Sequence, residues 1–118
     1  MSKAAKLAVI AGRADTLVDT TNTGDVALNF GQYQNFILTF TGDVVFTNPT
    51  TEAIGQSGFI ICIQDGVGSR AFTINGDYET SGAIGLTLST APNSVDMIPY
   101  VVQSASNILL GNVQRAFA

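Results

Sequence analysis

The chain of 118 residues has no histidine and no tryptophan, and only 12% of its residues are charged. The lack of histidine excludes Ser-His-Asp triads, Cys-His pairs and nearly all zinc and haem sites. Lysine occurs only at Lys3 and Lys6, which argues against a buried Schiff-base lysine. We therefore expect a protein that is not an enzyme, binds no cofactor and has no small-molecule substrate.

The single cysteine, Cys62, lies within an apolar segment. It has no intrachain partner for a disulfide, and a buried thiol behaves as a small hydrophobic group. We expect it in the core of a protein made in a reducing cytoplasm. No apolar stretch approaches the ~20 residues of a membrane helix, and residues 7–11 are too short for a signal peptide. The sequence thus predicts no membrane partner.

Positive charge is scarce and unevenly placed. Lys3, Lys6 and Arg13 make the first residues basic, whereas the remainder is acidic and the whole chain carries a net charge of −4. An acidic body argues against nucleic-acid binding, which needs clustered Lys and Arg. The basic segment is either a solvated terminus or an arm that docks on an acidic partner. Thr, Ser, Asn and Gln make up 35 residues, a composition that suits a chain packed against other chains.

Four acids are candidates for a catalytic pair of the glycosidase type: Asp65, Asp77, Glu79 and Asp96. All but Glu79 lie next to turn glycines or at strand ends, where Asp caps backbone donors. The segment Asp65-Gly66-Val67-Gly68 lacks the oxygen ligands of a calcium loop. We therefore predict no catalytic residue and no metal site.

Sugar binding on a β protein usually needs exposed aromatic rings. Tyr33 and Tyr78 are the candidates for such a site, whereas Tyr100 shares a core-like face with Ile98 and Val102.

The segment from Gly55 to Gly76 organises the predicted fold. Phe59–Ile63 is too short for a helix, and its composition predicts a strand buried on both faces. Residues 65–69 contain two glycines and predict a reversal into a strand over Arg70–Ile74, so the two strands form a central hairpin. Asn75-Gly76 predicts a tight turn.

Other strands are predicted on both sides of this hairpin. Asn35–Phe40 alternates with Phe36, Leu38 and Phe40 on its core face. Residues 96–104 and 108–113 predict a terminal hairpin, with Pro99 at a sheet edge or a bulge.

Residues 16–24 are polar and predict a loop. The motif Thr-Gly-Asp-Val occurs at Thr23 and again at Thr41. Each copy predicts a Gly-Asp turn followed by a strand. The motif occurs twice either because both turns use the same local conformation or because the segment was duplicated. The predicted organisation is an N-terminal arm and polar linker over residues 1–20 and one domain over residues 21–118. That domain is expected to be all-β, an antiparallel β-sandwich of jelly-roll type.

Four motifs, in order, resemble a β module of tailed bacteriophage virion proteins. They are Thr41-Gly42-Asp43-Val44, Gly55-Gln56-Ser57-Gly58, the segment from Gln64 to Arg70, and the segment from Leu88 to Asp96. The resemblance covers roughly residues 36–113. In that family the Gln-Asp-x-x-Gly-Ser-Arg segment is a hairpin tip. This chain departs from the pattern by having Ile74-Asn75 in place of a Trp-Pro pair, and Leu109-Leu110-Gly111 where a tryptophan is usual.

The resemblance implies a non-enzymatic structural role in a virion, commonly as a homotrimer. One module with a basic arm favours a capsid decoration (cement) protein, which binds the major capsid protein on the outer head surface after assembly in the host cytoplasm. Lys3, Lys6, Arg13, Arg115 and Phe117 are the predicted shell-docking residues, because they lie on the terminal segments. The alternative is a head- or tail-fibre component that recognises bacterial surface glycans.

Overall fold

The strands of this chain form one curled sheet. The computed structural model describes residues 15–51 and 53–118. Its strands are β1 (Thr16–Val26), β2 (Asn35–Phe46), β3 (Ser57–Gln64), β4 (Phe72–Ile74), β5 (Tyr78–Thr80), β6 (Val95–Ser104), β7 (Asn107–Leu110) and β8 (Gln114–Phe117). A short 3-10 helix follows β5 at Ser81–Ala83. No helix in these residues is long and apolar enough to cross a membrane.

The strand order is β1-β2-β3-β6-β7-β5, with β4 added to β2 and β8 added to β6. Parallel pairing joins β1 to β2, β2 to β3, β2 to β4 and β5 to β7. Antiparallel pairing joins β6 to β3, β7 and β8. The all-β prediction is confirmed, but the sheet is single and mixed, whereas two antiparallel layers were expected.

The core lies inside the curl of the sheet. Tyr78 in β5, at one end of the strand order, lies 5.9 Å from Phe46 in β2 and 6.5 Å from Phe30 between ring centroids. Phe30 in turn meets Phe36 edge-on at 5.3 Å. Because strands far apart in the order share one aromatic cluster, the sheet encloses its core without a second layer. Phe36, Leu38 and Phe40 are buried as predicted.

The predicted central hairpin is wrong. β3 and β4 do not pair with each other; both pair in parallel with β2, where β3 takes residues 36–40 and β4 takes residues 44–46. The segment between them is therefore a crossing loop that carries the chain along the edge of β2. The turn predicted at Asn75-Gly76 is present, since Tyr78 N donates to Asn75 O at 3.1 Å.

The loop predicted over residues 16–24 is also wrong, because these residues belong to β1. Thr and Val have high β propensity even in a polar segment. The backbone of β2 supplies the hydrogen-bond partners that make this segment a strand. The second Thr-Gly-Asp-Val motif does not turn but runs through the middle of β2. There Gly42 is required, since a Cβ would lie 2.9 Å from Cβ of Thr23 in β1.

The terminal hairpin of β6 and β7 is confirmed by the pairing of Ser104 with Asn107. Of the two positions predicted for Pro99, the sheet edge is wrong, because β6 has neighbours on both sides, but the ladder is irregular beside Pro99. Pro99 has no N–H to donate, and the neighbouring chain is interrupted opposite it, between the end of β7 and the start of β8. Gly111 N donates to Pro99 O at 2.8 Å in this gap.

Candidate interaction surface

The outer face of the sheet, opposite the core, is apolar. The run Phe59–Ile63 in β3 shows the division between the two faces: Ile60 and Cys62 are buried, whereas Phe59, Ile61 and Ile63 are only half-buried. The prediction that this strand is buried on both faces is therefore wrong for the single chain. Its inner side chains enter the core, and its outer side chains have no layer of described residues over them.

Strand register arranges these outer side chains in rows, since directly paired residues point to the same face. The first row is Val18, Ile37, Ile61 and Met97, one residue from each of four adjacent strands, and the polar Gln114 of β8 continues it beside Met97. The second is Thr39, Ile63, Val95 and Phe117. Phe59 and Pro99 form a shorter third row. We call these three rows the outer apolar face.

No member of the outer apolar face is charged, and two of its members are widely exposed. Val18 in β1 is 63% exposed and Phe117 in β8 is 53% exposed. The acids on the same side, Asp25, Asp43 and Asp65 toward one end and Glu79 toward the other, lie beyond the rows. A neutral apolar centre with a polar rim is the composition of a protein–protein contact.

Phe117 and Arg115 are the two predicted docking residues that the structure describes. Both lie on β8, whose four residues are all exposed. Phe117 pairs with Val95 and so joins the outer apolar face. Lys3, Lys6 and Arg13 lie outside the described residues, so the arm remains a prediction.

The strand β8 is held in place by a buried carboxylate on the inner face. Asp96 is 1% exposed, and its Oδ1 accepts a hydrogen bond from Ala116 N at 2.9 Å. Its Oδ2 accepts from Ser89 N at 2.5 Å, so one side chain ties β8 and the loop before β6 together. Cys62 pairs with Asp96 across the strands, and burial, followed by the Asp96 charge, raises the pKa of its thiol. The thiol is therefore neutral and unreactive.

The Gln64–Arg70 motif forms the loop that ends β3. Asp65 Oδ1 accepts from Val67 N and Gly68 N, and its Oδ2 accepts from Arg70 Nη2 at 2.8 Å. The Arg70 bond and these backbone donors lower the pKa of Asp65 to about 2. The buried Gln64 side chain bonds both the N–H and the C=O of Arg70. The motif therefore has a structural explanation, although the loop is not a hairpin tip.

This loop is pressed against the segment before β6. Gly68 has a φ of +74°, and a Cβ there would lie 2.7 Å from both Pro92 N and Thr90 O. Ser69 N donates to Thr90 O at 2.7 Å. Two of the motifs that carry the resemblance are thus direct neighbours, which sequence spacing alone does not show.

The tyrosines predicted for sugar binding do not form open platforms. Tyr78 is 4% exposed within the aromatic core, and Tyr33 is half-buried with its ring centroid 6.3 Å from that of Phe36. Tyr100 is buried as expected, and its hydroxyl donates to Gln34 O. Burial raises the pKa of Tyr100.

The four predicted acids have separate roles. Asp65 and Asp96 are engaged as described above, and Asp77 ends the turn before β5, where its N–H donates to Asn48 Oδ1 at 2.9 Å. Glu79 lines a cleft of about 400 Å³ together with Ile74, Thr80 and Ala83. Within residues 15–51 and 53–118, no three acidic or cysteine side chains come together as metal ligands.

Comparison with protein families matches residues 20–106 to a family described as "Putative phage tail fibre C-terminal domain". The match runs from within β1 to the turn after β6, and so takes in most of the sheet. The chain belongs to this phage tail fibre domain family. No curated protein and no solved structure matches the chain.

Membership makes the chain a β-rich module of phage virion structural proteins, in agreement with the resemblance seen in its motifs. The tail fibre domain match ends before β7 and β8. Sequence reasoning missed the outer apolar face of this tail fibre domain, although the unbroken apolar run of β3 was its signal. An apolar run of that kind predicts that both faces of the strand are buried. Here the described residues bury only the inner face.

Proposed function

We propose that this chain is a structural component of a phage tail fibre, acting through protein–protein contacts. The observation that carries the proposal is the family match over residues 20–106. The cement-protein interpretation rested on the chain being one module with a basic arm, and it has no support from this match. The homotrimer implied by the resemblance remains a prediction, as does a role for the arm.

The experiment is the molar ratio of this chain to the major capsid protein in purified particles, measured by quantitative mass spectrometry. Immunogold labelling of the same particles gives the position. A tail fibre component is present at a few per cent of the capsid protein or less, with label on the tail. A ratio within a few-fold of one, with label over the head, contradicts the proposal and supports the cement protein.

Glycan recognition is a second proposed activity of such a fibre component, and the cleft beside β5 is its most suitable place. Glu79 and Thr80 there offer a carboxylate and a hydroxyl, groups that hydrogen-bond to sugar hydroxyls. When the side-chain amide of Asn107 is oriented with its nitrogen toward Glu79, it donates a hydrogen bond to Glu79 Oε1 at 2.6 Å. This hydrogen bond orients the carboxylate.

Saturation-transfer NMR with purified host surface polysaccharide tests this site. We expect transfer to the wild-type chain and weaker transfer to Glu79→Gln, with Asp43→Asn as the control. Equal transfer to all three chains, or none to any, contradicts a glycan site at Glu79.

A further inference from the structure

We infer that residues 1–14, the N-terminal segment, lie over the outer apolar face of their own chain. That face leaves Val18 63% exposed and Phe117 53% exposed, and no layer of described residues covers its three rows. A contiguous apolar surface in water marks a contact site. Acids border the rows at both ends, so an occupant that is apolar and carries positive charge suits the face best.

The described residues begin at one corner of the outer apolar face. The pairing of β1, β2, β3 and β6 places Thr16, the first residue of β1, level with Phe59 and Pro99, which form the shortest row. The residue before Thr16 is fixed to β2, since Asp15 O accepts a hydrogen bond from Gln34 N at 2.9 Å. The N-terminal segment therefore joins the sheet at this corner, on an edge strand.

The N-terminal segment is long enough to cross the face. Strands β1, β2, β3 and β6 lie about 4.8 Å apart, so the face is about 19 Å wide. A segment of 14 residues spans about 21 Å at the rise of a helix, about 1.5 Å per residue. It spans about 46 Å when extended at about 3.3 Å per residue. In either case its length is sufficient to reach from β1 across β6.

The composition of the N-terminal segment also matches the face. Nine of its 14 residues are apolar, namely five Ala with Met1, Leu7, Val9 and Ile10. The small alanine side chains allow the backbone to approach a sheet closely, and the larger side chains lie together in the middle of the segment. Contact with the rows would remove apolar surface from water on both sides.

The charges favour this segment over the sheet of a second copy. Lys3, Lys6 and Arg13 give the segment a charge of +3, whereas residues 15–118 carry two arginines and nine acids, a charge of −7 (2 − 9). The segment is attracted to the acids that border the face, but two sheets of this charge repel each other. Because the segment is joined to the same sheet, its docking also requires no association of two chains.

The first test measures the effective concentration of the segment at the face by disulfide exchange. Leu7→Cys is combined with Met97→Cys, on the far strand of the first row, or with Ile54→Cys. Ile54 is the matched control, because it is 75% exposed and lies outside the rows. In a glutathione buffer the intrachain disulfide should be at least about tenfold more stable for the Met97 pair, because docking raises the local concentration. Cys62 does not compete, since its thiol is buried and neutral.

Two results of this test overturn the inference. Equal stability of the two intrachain disulfides would mean that the segment is solvated. Disulfides that join two chains, seen as a doubled mass, would mean that a second copy lies on the face.

The second test adds no cysteine and uses a soluble nitroxide, which broadens the methyl NMR signals of side chains that solvent reaches. Val18 should be protected, whereas Ile84, which is 85% exposed and lies outside the rows, should be broadened. Ile10→Glu should shift the docking equilibrium toward exposure of Val18 by about tenfold, since it removes one large apolar contact. Ser2→Glu changes the charge equally at a polar position and should leave Val18 protected.

The same spectra separate docking from folding. The described core lies between Leu28 and Leu110, so Ile10→Glu should leave the circular dichroism spectrum and the signals of Ile60 unchanged. Broadening of Val18 equal to that of Ile84 would show an open face and contradict the inference. Protection of Val18 that rises with protein concentration would contradict it too, because a second copy would then be the occupant. Neither test involves the virion, so the results are independent of the tail fibre role.

Discussion

The two faces of the β2-β3-β6 sheet are built from similar apolar residues but differ in what covers them. On the inner face, Ile60 and Ile98 are 0% exposed and pack within the aromatic core. On the outer face, the next residue along β3, Ile61, is half-buried, and Val18 in the same row is 63% exposed. The difference shows that the inner face stabilises the fold of the chain, whereas the outer face has no layer of described residues over it.

The sharpest test of this comparison substitutes adjacent isoleucines of one strand. Ile60→Ala should lower the free energy of unfolding by about 2–5 kcal/mol, because it opens a cavity in the core. Ile61→Ala should cost about 1 kcal/mol or less, because no layer of described residues lies over that side chain. Urea denaturation of both variants measures the difference. Equal losses at the two positions would show that the outer face is packed as closely as the core.

The inner face also holds the buried carboxyl group of Asp96, and its removal should have the next largest effect. Asp96→Asn replaces an oxygen that accepts a backbone N–H with an NH₂ group that cannot, and should cost about 1–3 kcal/mol. Hydrogen exchange should be faster at Ala116 and Ser89, the two donors. Asp43→Asn is the control, because Asp43 is exposed and accepts one bond from Ala71 N. Unchanged exchange at both donors would contradict the anchoring role.

The loop at the end of β3 packs against the segment before β6, through Gly68 and Ser69. Gly68→Ala should destabilise the chain by about 1–3 kcal/mol, because Ala is strained at this φ and its Cβ meets Pro92 and Thr90. Gly66→Ala is the matched control, since a Cβ there meets nothing within 4 Å. Thermal unfolding of the two variants gives the comparison. A Gly68→Ala chain as stable as the Gly66→Ala chain would show that the loop moves freely.

The smallest expected effect is a pH dependence at the same loop. The pKa of Asp65 is lowered to about 2 by Arg70 and backbone donors, against about 3.9 in an unfolded chain. Its contribution to stability is therefore full above about pH 4 and is lost as the pH falls toward 2. Asp65→Asn should remove this component from a stability profile between pH 5 and 2. A profile that is unchanged by the substitution would contradict it.

Several features were predictable because their causes are local. The buried alternation of Phe36, Leu38 and Phe40 and the β6–β7 hairpin follow from side-chain period and turn chemistry. The resemblance carried by the turn motifs also led to the correct class of virion protein. The cement interpretation depended on length and the terminal arm, and these are not specific to either virion role.

The failures have a common physical cause. The β3–β4 hairpin, the loop over residues 16–24 and the turn at Gly42 were all inferred from neighbours in sequence. In the structure, β2 is the partner of β1, β3 and β4 in parallel. Parallel partners are brought together by connections whose length and composition do not encode the pairing. Gly42, for example, is required by Thr23 of another strand, and nothing in its own segment shows this.

By itself, the sequence determined the all-β class, the strands with alternating core residues and the absence of histidine-based chemistry. These depend on residue type and short-range period, which are readable along one segment. Only the tertiary structure decided which strands pair, where Asp96 is anchored and which apolar side chains remain outside. An apolar run such as Phe59–Ile63 specifies that both faces of a strand prefer to be covered. In this structure the described part of the chain buries only one face of that strand. The curl of the sheet decides which face that is.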